Sequence, residues 1–323
     1  MWKTVIRRFL IMIPQLIAIS LFMFILAANM PGDAISGLIS PDIPMAELER
    51  LREDLGLNQP WYVRYVQWVG GLVRGDFGQS FAHFRPVSEI IGERILITFF
   101  LSLYSLILTY LLAVPLGVLA GKYSGLPLDK GILIYVFLMM AVPTIVICIL
   151  LVLWFSPIGF GWFPLGGTVD SFVYAWGTGF EIFRSRVYHF TLPAIAGALV
   201  GTLGVVFMLR SNIIERKVAD YVTFARSKGV PNNVIFFKHI LRNSIIPLVA
   251  GLGLAIAFLF GGAVFIEMAF RIPGMGDLFI TSINRRDFPV ANILIMFTAL
   301  LTVVGVLLSD IFLTIVDPRM RIR

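Results

Sequence analysis

The residues whose types and spacing best suit contact with another molecule form one basic stretch. It reads Asp220-Tyr221-Val222-Thr223-Phe224-Ala225-Arg226-Ser227-Lys228-Gly229 and continues through Val230-Pro231-Asn232-Asn233. A second segment then ends in His239-Ile240-Leu241-Arg242-Asn243-Ser244-Ile245-Ile246-Pro247. The chemistry available here is contact, not catalysis: Arg226 and Lys228 can pair with acids or backbone carbonyls of another protein. The spacing predicts a short helix closed by Gly229, a residue suited to the left-handed position just past a helix end. Pro231 then stands where a new helix would begin. Small Ala225 beside that glycine predicts an elbow able to sit deep in a groove of a partner. A solvated basic loop with no partner fits the same charges, and periodicity leaves both readings open.

Other chemistries find no support. The Gly121-Lys122 pair is followed by Tyr123 and lacks the upstream glycine of a phosphate-cradling loop, so the chain is not itself an ATPase. The three histidines, His83, His189 and His239, are scattered, and no His-Glu-x-x-His zinc motif occurs. With a single cysteine, Cys148, an internal disulfide is impossible and a cysteine-built metal site is not expected. Two acids stand in or beside apolar runs, where a charge is costly and often functional: Glu267 and Asp310. Each is a candidate either for a substrate path or for a structural acid, Glu267 as a cap near the outer end of an apolar run and Asp310 as an interior hydrogen-bond partner.

The elements that would position these residues are membrane helices. Of 323 residues, 58% are hydrophobic and 14% charged, and the mean hydropathy is +0.90. Soluble domains hold about 45–50% apolar and about 25% charged residues, so the surplus must face lipid or partner helices. Six apolar runs are long enough to span about 30 Å of hydrocarbon: 9–30, 98–120, 131–155, 192–209, 245–266 and 290–316. The first is longer than the apolar core of a signal peptide, and Ala27-Ala28-Asn29 makes a poor cleavage site, so it is expected to stay as a helix. Orientation follows from Lys and Arg, which favour the cytoplasmic side. Lys3, Arg7 and Arg8 precede the first run, and Arg319, Arg321 and Arg323 follow the last. Arg210–Ser244 carries seven basic residues against two acids, whereas 31–97 carries six against nine. Both termini and the 210–244 loop are therefore expected in the cytoplasm, with 31–97 and 156–191 outside. The net charge of +7 is explained by that orientation and implies no nucleic-acid partner. The domain reading is a tail with first span at 1–30, an extracytoplasmic segment at 31–97, and a core at 98–323. Gly117/Gly121 and Gly197/Gly201, at four-residue spacing, are expected to let helices approach closely.

The basic stretch resembles the cytoplasmic coupling loop of binding-protein-dependent ABC importer permeases, and more narrowly of the dipeptide/oligopeptide/nickel permease family. Residues Asp220, Tyr221, Val222, Ala225, Arg226, Lys228, Gly229, His239, Leu241, Arg242, Asn243 and Pro247 fit the pattern. The family's leading Glu-Ala-Ala is represented by Thr223-Phe224-Ala225. Met30-Pro31-Gly32-Asp33, Leu55-Gly56-Leu57-Asn58-Gln59-Pro60, Tyr65 and Trp68, and Gly75-Asp76-Phe77-Gly78-Gln79-Ser80 are similar to the first-named oligopeptide permease subunit. So are Glu267 with Phe270, Pro273, Gly274 and Gly276, and Asp310 with the ending Asp317-Pro318-Arg319-Met320-Arg321. The 156–191 segment is longer than is typical of the family.

The resemblance implies an all-α membrane protein with the type I ABC importer permease fold, carrying its coupling loop between spans four and five. It also implies a second homologous permease chain, two ATPase chains that bind the ATP and Mg, and an extracytoplasmic peptide-binding protein. No cofactor is expected on this chain, and its surroundings are the lipid of the plasma or inner membrane. Nickel or another small solute is the alternative cargo. A proton-coupled secondary transporter is the rival class, but it would show inverted repeats and several charges in broken mid-membrane helices, and neither is evident. A channel filter or a membrane-enzyme nucleophile and base is not evident either.

Overall fold

The computed structural model describes residues 2–29, 49, 50, 52, 53, 56, 58–261 and 263–316, with the backbone alone given for 2–9 and 27–29. Met30-Pro31-Gly32-Asp33, Leu55, Leu57, the 317–323 ending and the side chains of Lys3, Arg7 and Arg8 lie outside the described residues. The described chain is helical, with one isolated bridge between Gln79 and Pro86 in place of any strand. In order the helices are α1 (Trp2–Asn29), α2 (Trp61–Val73), α3 (Val87–Lys122), α4 (Pro127–Ala141), α5 (Thr144–Phe155) and α6 (Ser171–Trp176). Then follow α7 (Gly179–Lys217), α8 (Asp220–Ser227), α9 (Asn232–Phe258), α10 (Val264–Ala269), α11 (Met275–Asn284) and α12 (Phe288–Val316). Helices α3, α7, α9 and α12 are long and apolar enough to cross a membrane, α4 with α5 qualifies only as a bent pair, and α1 contains the apolar stretch Leu10–Leu26.

The pair α3 and α7 is the spine of the fold. Gly117 and Gly121 of α3 lie against Leu209 and Ile213 of α7, while Gly197 and Gly201 of α7 lie against Ser105 and Thr109 of α3. All four contacts share one sequence offset of 92 residues, so the two helices run parallel, each giving the other two glycines. A Cβ at Gly121 would sit 2.7 Å from the Ile213 Cβ, which no relaxed contact permits. Dispersion and close packing, not burial from water, hold such a pair in lipid.

Parallel neighbours require the chain between them to return to its starting side. That return is α4 and α5, which meet at an angle of 100°. The uninterrupted run expected over 131–155 is therefore broken, and the cause is local. Pro143 has no N–H, and Val142 before it is extended at φ −93 and ψ 124, as the residue preceding a proline tends to be. The expected fifth run, 245–266, is also redrawn: α9 begins earlier at Asn232 and stops at Phe258, and Ile266 belongs to the separate α10. Its early part is wound as a π-helix over Ile235–Leu241, ahead of Pro247. Helix α9 packs antiparallel on α12, with Gly253 against Leu308 and Ser309 and Gly305 against Leu254 and Ala257.

The expected connecting segments are more structured than their polarity suggested. Segment 31–97 contains α2 and the first turns of α3, and 156–191 contains α6 and the first turns of α7. At the start of α7 a capping box does the work: the Glu181 N–H donates to Thr178 Oγ1 at 3.4 Å, and the Thr178 N–H donates to Glu181 Oε2 at 2.7 Å.

Candidate functional site

The elbow after α7 is built by a helix that stops at a glycine. Ala219 starts α8 and Asp220 fills its first turn, where a carboxylate complements the helix dipole. At the other end the Gly229 N–H donates to the Arg226 carbonyl at 2.9 Å and the Val230 N–H to the Ala225 carbonyl at 3.2 Å. With Gly229 at φ +73, this is the paired-bond C-terminal motif in which glycine avoids the penalty of a left-handed residue. Pro231 then caps the start of α9, and the Ile235 N–H donates to its carbonyl at 3.0 Å.

Helix α8 turns one face inward and one outward. Val222 and Ala225, three residues apart, are buried against Leu209 and Ile213 of α7 and Ile235, Phe236 and Ile240 of α9. Ala225 thus faces its own bundle and is not available to a partner's groove, contrary to the expectation from its size. The outward face holds Phe224 at 61% exposure and Tyr221, and Val218 just before α8 and Phe237 on α9 are also exposed. Exposed Arg226 and Lys228 rim it, and the Lys228 ammonium lies 4.4 Å from the centre of the Phe224 ring. Exposed aromatic side chains rimmed by basic ones are the kind of surface that suits contact with another protein. Asp220 is exposed, His239 and Asn243 are half-buried, and Arg242 is exposed on α9. The Asn243 amide donates to the His239 carbonyl at 2.8 Å, so these two stabilise their own helix.

Two of the basic residues counted in 210–244 serve the fold. Arg210 reaches α4 and grips Asp129 with two bonds, Nε to Oδ1 at 2.6 Å and Nη2 to Oδ2 at 2.8 Å. The Gly125 N–H also donates to Asp129 Oδ2, at 2.7 Å. Two turns on, the Lys217 ammonium donates to the Lys122 carbonyl at 2.8 Å and to Ser124 Oγ at 3.0 Å. The Lys122 ammonium in turn lies 5.2 Å from the Phe236 ring centre and 5.3 Å from that of Phe237. Asp129 and Phe224 were not singled out from sequence. For Phe224 a signal existed, because an inward Val222/Ala225 pair leaves Tyr221 and Phe224 facing out. Asp129 had none, its partner being 81 residues away.

At the opposite end of the bundle, Glu267 is fully buried. Its carboxylate accepts from Thr98 Oγ1 at 2.8 Å, from the N–H groups of Gly276 at 2.7 Å and Asp277 at 3.0 Å, and from the Ala263 N–H at 3.3 Å. Thr98 Oγ1 also accepts the Met275 N–H at 2.8 Å. Glu267 thereby caps the start of α11 and ties α10 to α3, with Gly274 leaving the room its carboxylate needs. Asp287 does parallel work: buried, it accepts from Ser80 Oγ and from the N–H groups of Phe81 at 3.0 Å and Ala82 at 3.3 Å. Asp310 sits half-buried in α12, where its carbonyl accepts Thr314 Oγ1 at 2.7 Å. The elbow residues and the two candidate acids are thus not one site: Glu267 lies across the bundle from α8. Among the described residues no cluster of His, Cys, Asp and Glu could hold a metal.

Residues 113–322 match the family described as binding-protein-dependent transport system inner membrane component, and residues 1–102 match its N-terminal counterpart. The chain is 39% identical to the oligopeptide transport system permease protein AppB of Bacillus subtilis (strain 168), over 98% of each chain. It is 31% identical to a putative peptide permease protein of Brucella suis biovar 1 over 100% of each. It is 29% identical to a probable peptide ABC transporter permease protein of Sinorhizobium fredii over 98% of each.

Proposed function

The chain belongs to the family of binding-protein-dependent transport system inner membrane components, and from that membership we propose that it is the permease subunit of an ATP-driven peptide importer. The observation that carries the peptide reading is the 39% identity, end to end, with an oligopeptide permease. The outward face of α8 supports the coupling half of the reading, because a transport subunit with no nucleotide site of its own must receive work through a contact surface.

In this proposal the membrane is crossed six times, by α1, α3, the bent α4–α5, α7, α9 and α12, with both termini and α8 in the cytoplasm. Residues 31–97 form the extracytoplasmic segment and 98–323 the core. A second, homologous permease supplies the other wall of the path. Two ATPase chains, which hold ATP and Mg, dock on the coupling loops through Tyr221, Phe224, Arg226 and Lys228 here and their counterparts on the second permease. An extracytoplasmic binding protein delivers the peptide. Closure of the ATPases pushes α8, and α7 and α9, packed on its inner face, carry the push into the bundle.

The test is purification of the intact complex through a tag on this chain, followed by mass spectrometry and uptake in proteoliposomes. A second permease, two ATPases and ATP-dependent accumulation of labelled peptide are expected. This chain alone, with uptake that survives ATP removal and follows a proton gradient, would overturn the proposal. ATP-dependent uptake of nickel but not peptide would leave the importer and change its cargo.

A further inference from the structure

One feature of the α8 end serves neither docking nor simple helix packing. The main packing partners of α4 are α3 and α7, and α8 packs chiefly on α9. A push on α8 reaches α4 chiefly through α3 and α7, while α5 packs on α7 and α10. Part of that contact is apolar: Ile132 and Val136 of α4 pack with Ala113 and Ala120 of α3 and Val206 of α7. Apolar contact is non-directional, so it resists separation better than it resists sliding. A bidentate arginine–carboxylate pair fixes both distance and register.

The Asp129–Arg210 pair is placed to supply that register. The Asp129 side chain is 2% exposed and that of Arg210 19%. The carboxylate accepts three hydrogen bonds from two groups, two from the Arg210 guanidinium and one from the Gly125 N–H. Arg210 follows directly on Leu209, which is packed into Gly117 and belongs to the cluster that buries Val222 and Ala225 of α8. Lys217, on the same helix, fastens the Lys122–Ser124 turn that leads into α4. The ends of α3 and α7, the elbow and the first turn of α4 thus form one block, in which Asp129 is the charged point where α4 is held, with the Tyr135 hydroxyl 2.7 Å from Thr202 Oγ1 a neutral one further along.

We propose that Asp129 and Arg210 are positioning residues for transport, their ion pair handing the movement of α8 to the α4–α5 connection. The proposal rests on the importer reading. A cap for the first turn of α4 would need an acceptor for the Gly125 N–H but no arginine, and a mere orientation charge would need no partner.

The test compares the assembled complex, with its ATPases and binding protein, in proteoliposomes for wild type, Asp129→Asn, Arg210→Lys and the exchange Asp129→Arg with Arg210→Asp. Asparagine keeps shape without charge, and lysine keeps charge without the two-bond fork. The single variants are expected to assemble and hydrolyse ATP within twofold of wild type, while peptide taken up per ATP falls at least tenfold. The exchange should recover at least a third of that ratio. Lys217→Met, a milder change on the same block, should lower it about threefold. An unchanged ratio in both single variants overturns the proposal. So does a loss matched by an equal loss of assembled complex, which would make the pair a staple of the fold alone.

A second readout separates this proposal from the cargo reading. Spin labels at exposed Met140 on α4 and Thr223 on α8 should keep one distance through ATP binding in wild type, and should change distance in Asp129→Asn. If wild type hydrolyses ATP but accumulates no peptide, the peptide reading fails while this distance still decides the pair.

Discussion

The two ends of the bundle solve the same problem, fixing helices where they leave the apolar layer, with a different balance of partners. At the Glu267 end, buried carboxylates do the holding. Glu267 and Asp287 draw in backbone N–H groups of α11 and of the Phe81–Ala82 turn, together with the hydroxyls of Thr98 and Ser80. At the α8 end the holding is shared with cations, Arg210 gripping the buried Asp129 and Lys217 the Lys122 carbonyl, and aromatic side chains stand exposed nearby. Backbone N–H groups are fixed in the fold and cannot leave a carboxylate without partial unfolding. The two-bond Arg210–Asp129 pair and the Lys217 bonds instead tie side chains of α7 to α4 and to the turn before it, so that these parts move together. Under the proposed function, the difference makes the first end a frame and the second the interface that would transmit.

That contrast can be broken most severely at Glu267. Glu267→Ala leaves the Gly276 and Asp277 N–H groups and the Thr98 hydroxyl short of an acceptor in a dry site, at roughly 1–3 kcal/mol each. The expected result is a collapse of folded protein, read as loss of the monodisperse peak in detergent chromatography. A normal yield would show that water or a rearranged α11 replaces the carboxylate. Next in size is Phe224→Asp, which should leave folding intact and weaken ATPase capture by about 2 kcal/mol or more, the scale of an interface anchor. Pull-down of the ATPase subunits at fixed expression checks it, and undiminished capture would move the contact surface off α8.

Gly229→Val sharpens the comparison by loosening the elbow without touching its outward face. A β-branched residue held at φ +73 costs about 1–2 kcal/mol, so a modest fall in thermal stability and a several-fold fall in ATP-driven uptake are expected. Ala225→Arg should act in the same direction through a different cause, because its side chain would enter the Leu209, Ile213 and Ile235 cluster. The smallest effect belongs to Arg242→Gln. Arg242 is exposed on α9 away from the α8 face, and uptake should change by less than twofold; a larger loss would extend the interface along α9.

Much of the plan was legible because membrane helices and helix ends are local signals. The runs within 98–120, 192–209 and 290–316 lie inside α3, α7 and α12. Gly229 ends α8 at positive φ, and both glycine pairs seat a neighbouring helix. What was illegible depended on neighbours distant in sequence. The three-residue spacing of Val222 and Ala225 hinted at a shared inward face, but only the packing of α7 and α9 showed what covers Ala225, and its small size had suggested a partner's groove. The break at Val142–Pro143 was also missed, because proline in an apolar run is compatible with an intact helix when neighbouring helices satisfy the freed carbonyl.

Composition, apolar run length and the order of motifs were enough to establish a helical membrane protein of a transport family, since the cost of unsatisfied backbone in lipid leaves few alternatives. Tertiary structure alone decided which charges act and on what. Arg210 looked like one more orientation charge until α7 lay against α4 and gave it Asp129. Glu267 was ambiguous until α11 brought two N–H groups to it. A charge in a low-dielectric setting takes its role from its nearest partners, and those are set by how helices pack, which no local stretch of sequence contains.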